Sequence, residues 1–287
     1  MLASRREVLG VMALGALTGC ADPGRTASSA PATASRSVAA TPSPSPSPSM
    51  ATTLSRAEVV ARYGDLTPHT WGFGGPGVVR SVPATGRAVA LTFDACGGKG
   101  GSGYDQALID FLRRNGVPAT LFLNSRWIDA NPAAFRLLAA EPLFEIGNHG
   151  TRHLPLSVTG RSAYGISGTR NAGEVYDEVA GNHARLTRLL GRPPRFFRSG
   201  TAYCDDIAER IVTDMGERVV TFSVNGDGGA TFTPAQVTTT VTAAGPGDLV
   251  IGHMNHPEGG TAEGIAAAVP ILLARGYRFV RLSDPSR

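Results

Sequence analysis

Beyond residue 85 the chain repeats one pattern: a short apolar run, then a longer segment with helical patterning. Seven runs stand out: AVALTFD (88–94), PATLFL (118–123), FEIGNH (144–149), RFFRS (195–199), RVVTFSV (218–224), DLVIGH (248–253) and YRFVRL (277–282). Alternation of this kind predicts a parallel sheet with crossover helices. Most runs are apolar at consecutive rather than alternate positions, so each strand should be covered on both faces, as in a barrel wrapped by helices. Between them lie segments such as AGEVYDEVAGNHARLTRLLG and TAEGIAAAVPILLARG, several ending in the glycine expected just past a helix. The expected fold is α/β, a distorted barrel of seven strand and helix units.

Polar residues gather at one end of this pattern. Asp94, His149, Arg198, Asn225 with Asp227, and His253 all stand at the C-terminal ends of different runs, the end where barrels of this kind carry their chemistry. His149 and His153 are four residues apart. On a helical turn that spacing puts two imidazoles on one face, where both can ligate one ion. Gly147 and Gly150 argue for a loop or single turn. Such a pair alone is more often surface decoration than a ligand set, and it is the convergence of five strand ends that favours the metal.

The first 55 residues do not read as part of the fold. Residues 1–20 have the layout of an export signal, with Arg5-Arg6, the apolar run VMALGAL and the processing-site pattern LTGC. The run is too short to remain as a transmembrane helix. Residues 21–55 are rich in Ala, Ser, Thr and Pro, including PSPSPSPS at 42–49, and predict a disordered, extended tether. Residues 56–287 then form the single folded domain, with its core at 85–285. Cys96 and Cys204 remain once Cys20 is set aside, and in an oxidising compartment they can pair. A net charge of +4, from 27 basic and 23 acidic residues, is too mild to indicate nucleic acid.

Five motifs in order resemble those of the polysaccharide deacetylase family (NodB homology, carbohydrate esterase family four). TFDACGG (92–98) resembles the family's TFDDG, HGTRH (149–153) its HSxxH or HTxxH, and FFRSGT (196–201) the motif that often reads RPPYG. FSVNGDGG (222–229) and VIGH (250–253) resemble the fourth and fifth motifs. At the N-terminus, Arg5-Arg6 resembles a twin-arginine signal and Leu17-Thr18-Gly19-Cys20 a bacterial lipobox. Together they imply an exported lipoprotein held at the outer face of the cell membrane by a lipid on Cys20.

The resemblance implies a single catalytic domain that removes N-acetyl groups from amino sugars of a cell-envelope or exogenous polysaccharide such as peptidoglycan or chitin. It would act as a monomer on a polysaccharide substrate, without nucleic acid. The implied cofactor is a divalent metal, zinc above others, held by His149 and His153. Asp94 would be the base, oriented by Arg198; the Thr201 N–H would stabilise the oxyanion; His253, polarised by Asp227, would be the acid. Ala95 departs from the pattern, standing where the family has a metal-binding aspartate. Three outcomes are open. Asp94 supports or contacts the ion beside two histidines and water, Cys96 supplies a thiolate and so cannot pair with Cys204, or the site is degraded and the domain binds glycan without cleaving it. An O-acetyl esterase on a glycan is a further alternative. Tyr203 is expected to replace a missing tyrosine wall, and 155–169 to shape the groove. Trp127 is expected to pack or stack on a sugar, His256 is a candidate substrate contact, and His183 is expected at the surface. Asp205 and Asp206 should begin a helix.

Overall fold

The computed structural model describes residues 54–284. The expected signal peptide and lipobox lie outside the described residues, as does all but the end of the linker. Helix α1 (Arg56–Tyr63) and strand β1 (Trp71–Gly72) come first, followed by β2 (Ala88–Ala95), α2 (Gln106–Arg114), β3 (Ala119–Leu123), α3 (Ser125–Ala130), α4 (Pro132–Ala139) and β4 (Phe144–Asn148). Next are α5 (Ala172–Leu190), β5 (Phe196–Phe197), β6 (Cys204–Asp205), α6 (Asp206–Asp214), β7 (Arg218–Val219) and β8 (Val224–Asn225). Helix α7 (Pro234–Thr242), β9 (Leu249–His253), α8 (Thr261–Ala274) and β10 (Arg278–Val280) complete the order.

Eight strands form one sheet in the order β7-β5-β4-β3-β2-β9-β8, with β10 also paired to β2, and every pairing within it is parallel. The expected α/β barrel is present. One run differs from its prediction: 218–224 is two short strands, not one. β7 pairs with β5, β8 pairs with β9, and Val220 N–H and Ser223 N–H donate to Phe197 O and Leu249 O. One segment thus reaches both ends of the sheet, which curls it and leaves a seam at 220–223.

Strand parity decides what faces where. In β2, Val89, Leu91, Phe93 and Ala95 pack in the core shared with the helices, whereas Ala88 and Ala90 belong to a separate cluster with Phe122, Phe196, Val220 and Leu249. Thr92 and Asp94 continue this second, inward row. Helices are started by side-chain caps that absorb their free N–H groups: Asp105 accepts from Leu108 N–H at 2.9 Å, and Asp205 from Ala208 N–H at 2.7 Å. Asp206 instead accepts from the N–H groups of His69 and Thr70, at 2.7 and 2.9 Å.

The loop after β4 holds the histidine pair, and a carboxylate on α5 fixes it. Glu178 is fully buried, and its Oε1 accepts from the N–H groups of Thr151, Arg152, His153 and Leu154 at 2.8–3.2 Å. His153 sits in the left-handed region, at φ 66°, which a non-glycine residue adopts only where its surroundings impose it. Glu178→Ala would strand several buried donors, each costing about 1–3 kcal/mol when left unpaired. We expect a loss of at least about 3 kcal/mol in denaturant unfolding and faster amide exchange at 151–154. An unchanged midpoint would show that the loop does not depend on this carboxylate.

Candidate active site

Strand ends bring together the residues that the motifs single out. Asp94 closes β2, and Arg198 follows β5. Arg198 has no exposed surface: Nη1 donates to Asp94 Oδ1 at 2.7 Å, and Nη2 to Thr92 Oγ1 at 2.9 Å and Thr221 O at 2.8 Å. Its guanidinium lies 4.2 Å from the centre of the Phe122 ring. Burial disfavours charge on Asp94, but the Arg198 guanidinium, with His253, outweighs it and holds the carboxyl below its ordinary range. Asp94 is therefore ionised at neutral pH.

His149 is buried, and its Nδ1 lies 2.9 Å from Arg198 O. A carbonyl only accepts, so the proton is on Nδ1 and the Nε2 lone pair is free. That Nε2 is 3.6 Å from Asp94 Oδ2 and 3.8 Å from Cys96 Sγ. His153 stands edge-on to His149, ring centres 4.9 Å apart, and its buried Nε2 has no hydrogen-bond partner among the described residues. Burial, with His149 beside it, pushes the His153 pKa down to about 3, so this ring is also neutral. Gly200 presses on it from the third motif: a Cβ there would lie 2.3 Å from the His153 carbonyl carbon.

Ligand atoms of Cys96, His149 and His153 all lie within 4.8 Å of one another. Two neutral imidazoles, one fixed through its far nitrogen by a carbonyl, together with a thiol suit a borderline-soft divalent ion. Such an ion would satisfy the orphaned Nε2 of His153. Asp94 stands beside this cluster rather than in it, one oxygen committed to Arg198. Cys96 and Cys204 are both free cysteines, so the pairing considered from the sequence does not form.

Across the site, Asp227 accepts from His253. Nδ1 lies 3.0 and 3.2 Å from the two carboxylate oxygens; Oδ2 also accepts from His253 N–H at 2.6 Å and Thr261 Oγ1 at 2.9 Å. Burial opposes a charge on His253, yet the hydrogen bond and charge of Asp227 prevail and raise its pKa. Asn225 accepts from Gly228 N–H at 3.0 Å instead, so the carboxylate at His253 is that of Asp227. The N–H groups of Gly200 and Ala202 donate to Leu154 O and Ser199 O. Thr201 N–H, between them, has no acceptor among the described residues.

Asp94, Thr201 and His253 line a cavity of about 470 Å³ whose apolar wall includes Phe73, Tyr164, Ile166 and Phe222. The segment 155–169 thus contributes to the groove as expected. Tyr203 does not line this cavity; it backs the wall, with ring centres 4.3 Å from Phe73, 5.5 Å from Trp71 and 5.6 Å from Tyr164. The antiparallel pairing of β1 with β6 brings Phe73 there. A second cavity, of about 500 Å³, shares His253 and Gly229 with the first and is lined by Cys96, His153, Arg126 and His256. His256 is thus at the rim, with Nδ1 2.9 Å from Glu258.

One open alternative is decided, at Trp127, and one expectation is corrected, at His183. Trp127 is fully buried and donates Nε1–H to Gly103 O at 2.7 Å, so it packs and cannot stack on a sugar. His183 is not a surface residue: its Nδ1 lies 2.7 Å from the buried Glu217. Glu178, Thr261 and Phe73 were not singled out from the sequence. Glu178 had a signal, since it interrupts the buried α5 stripe of Val175, Val179, Asn182 and Leu186, where an ionisable group needs a partner.

Residues 81–220 match the family model for polysaccharide deacetylase. Comparison with curated proteins gives no match. Among solved structures, a family 4 carbohydrate esterase pseudoenzyme from Bacillus anthracis is 20% identical, with a TM-score of 0.61, over 73% of this chain and 69% of that one. A mutant of that pseudoenzyme with restored enzymatic activity is 21% identical at the same TM-score, over 73% and 71%. The Bc1960 peptidoglycan N-acetylglucosamine deacetylase is 23% identical with a TM-score of 0.60, over 72% and 91%. These likenesses establish the fold. Over residues 81–220 the chain is thus similar to polysaccharide deacetylases, and its barrel has the fold of the family 4 carbohydrate esterases.

Proposed function

We propose that the protein is a metal-dependent hydrolase that removes N-acetyl groups from amino sugars of a cell-envelope or exogenous polysaccharide. One observation carries the proposal: a carboxyl held below its ordinary range and an imidazole raised above its own both line the same cavity. Environments that push two such groups in opposite directions assign a base and an acid. The apolar wall of Phe73, Tyr164, Ile166 and Phe222 suits the C–H face of a sugar ring. Twin-arginine and lipobox motifs ahead of the domain support action at the outer face of the cell membrane.

His149 and His153 would hold the ion, with a third donor considered below. When bound, a divalent ion supplies Lewis-acid polarisation of the acetamide carbonyl and of the attacking water. Asp94, held by Arg198 through Oδ1, takes the water proton on Oδ2. Thr201 N–H donates to the developing oxyanion, a contact of a kind worth about 2.7–4 kcal/mol. The C–N bond then breaks as His253 gives its Nε2 proton to the departing amine, Nδ1 being held by Asp227. The products are acetate and a free amine.

Acetate release from N-acetylated oligosaccharides and peptidoglycan tests this directly. His253→Ala should lower turnover by about 10²–10⁴-fold and leave metal content unchanged. Loss of metal in that variant would make His253 a ligand rather than the acid. Release confined to acetyl esters would turn the assignment to an O-acetyl esterase, and glycan binding without any release to a binding protein.

The pH profile tests the His253 pair. Its raised pKa keeps the acid protonated above the ordinary value near 6.5; activity should persist there and fall as pH rises through the raised pKa. The charged groups that act on it are Asp227 and Asp94, which raise its pKa, and Arg198, which lowers it. Asp227→Asn removes the largest favourable charge, so the alkaline limb should move to lower pH. A limb that stays in place would show that Asp227 does not set it.

A further inference from the structure

We infer that the third ligand is the Cys96 thiolate, so that one sulfur and two imidazoles hold the ion. The inference relies on the proposed function only for the presence of a divalent ion.

Three observations carry it. First, parity along β2 sends Ala95 into the helix-facing core, with no exposed surface, and returns the next position to the inward row of Thr92 and Asp94. The residue that can face the histidines is therefore Cys96. Second, its Sγ stands 3.8 Å from His149 Nε2, and no other hydrogen-bond partner of this sulfur occurs among the described residues. The unpartnered Nε2 of His153 completes a set of donors within 4.8 Å.

Third, the chain is built to turn immediately after this cysteine. Gly97 has φ 68°, and a Cβ there would lie 2.4 Å from Trp127 N. Only glycine allows that approach together with that dihedral. Arg126 Nη2 donates to Cys96 O at 3.4 Å, tying the turn to α3. The other described cysteine, Cys204, is buried in the cluster around α5 and α6 and does not compete for the sulfur.

On binding, Cys96 Sγ–H gives its proton to solvent as the bond from sulfur to the ion forms. A thiolate with two imidazoles favours zinc or cobalt(II) over manganese or magnesium. This differs from a site of one carboxylate and two imidazoles, which accepts harder ions more readily.

Cobalt(II) loaded into the full chain gives a spectroscopic test independent of turnover. We expect a sulfur-to-cobalt charge-transfer absorption in the near-ultraviolet, lost in Cys96→Ser and retained in Cys204→Ala. Chelator competition should show cobalt affinity falling by more than about 100-fold in Cys96→Ala, beyond the usual cost of losing an outer-shell partner. Should Cys96→Ser fail to fold, the unmodified protein still decides: X-ray absorption should find one sulfur at about 2.3 Å. Stoichiometric cobalt without sulfur ligation, or a band that survives Cys96→Ser, overturns the inference. Acetate release without sulfur ligation would overturn the cysteine assignment alone, and sulfur ligation without acetate release the hydrolase alone.

Discussion

An arginine without exposed surface is tolerated only if each of its nitrogens finds an acceptor, because an uncompensated buried charge costs several kcal/mol. Arg198 meets that condition with acceptors from distant parts of the chain: Asp94 and Thr92 on β2, and Thr221 and Val220 in the seam. One guanidinium therefore joins the end of β5 to β2 and to the segment that closes the barrel. Its own carbonyl accepts a hydrogen bond from His149 Nδ1–H. The charge state of Asp94 and the tautomer of His149 thus both depend on Arg198 staying in place.

Around this centre the strand ends are tied to α5 by polar groups that would be unfavourable in the core if any lacked a partner. Asn124 Nδ2 donates to His149 O at 2.8 Å and Gly150 O at 2.9 Å. Asn182 Nδ2 donates to Leu123 O at 2.8 Å and Asn148 Oδ1 at 2.9 Å, and Asn148 Nδ2 donates to Glu217 at 2.9 Å. His183 reaches the same Glu217 oxygen. This network, with Glu178 beside it, holds the ends of β3 and β4 and the strained His153 at fixed positions. Packing of apolar side chains alone would not hold a ligand to the tolerance that a metal site requires.

The barrel was legible because its strands are covered on both faces, which leaves continuous apolar runs, and because the glycine-rich turns after them carry polar residues. His149, His153, Asp94, Arg198, Asp227 and His253 could be found by position at strand ends, and the structure brings them to one place. The split of 218–224 was not legible, since a continuous apolar run carries no mark of which neighbour each half will pair with. Phe73 reaches the cavity through a two-residue antiparallel pairing that no periodicity announces. His183 was expected at the surface because nothing in its helical segment marks a buried partner for it. Its partner Glu217 lies 34 residues away, and a pair so separated is visible only after folding.

Ala95 shows most clearly where alignment of motifs and arrangement in space diverge. Compared position by position, the chain lacks a ligand. In space, however, Asp94 and Cys96 both approach His149 while 95 points away, so the methyl of Ala95 fills the core behind the site and leaves no gap among the ligands. What matters to the chemistry is the charge of the ligand set. Two neutral imidazoles and one thiolate carry the same single negative charge as two imidazoles and one carboxylate, and would leave a divalent ion with the same net charge. Water in place of the third ligand would not. A cysteine one position further along can thus preserve the electrostatics of the centre while changing its softness. The lowered pKa of Asp94 and the raised pKa of His253 keep their meaning around a centre of that charge.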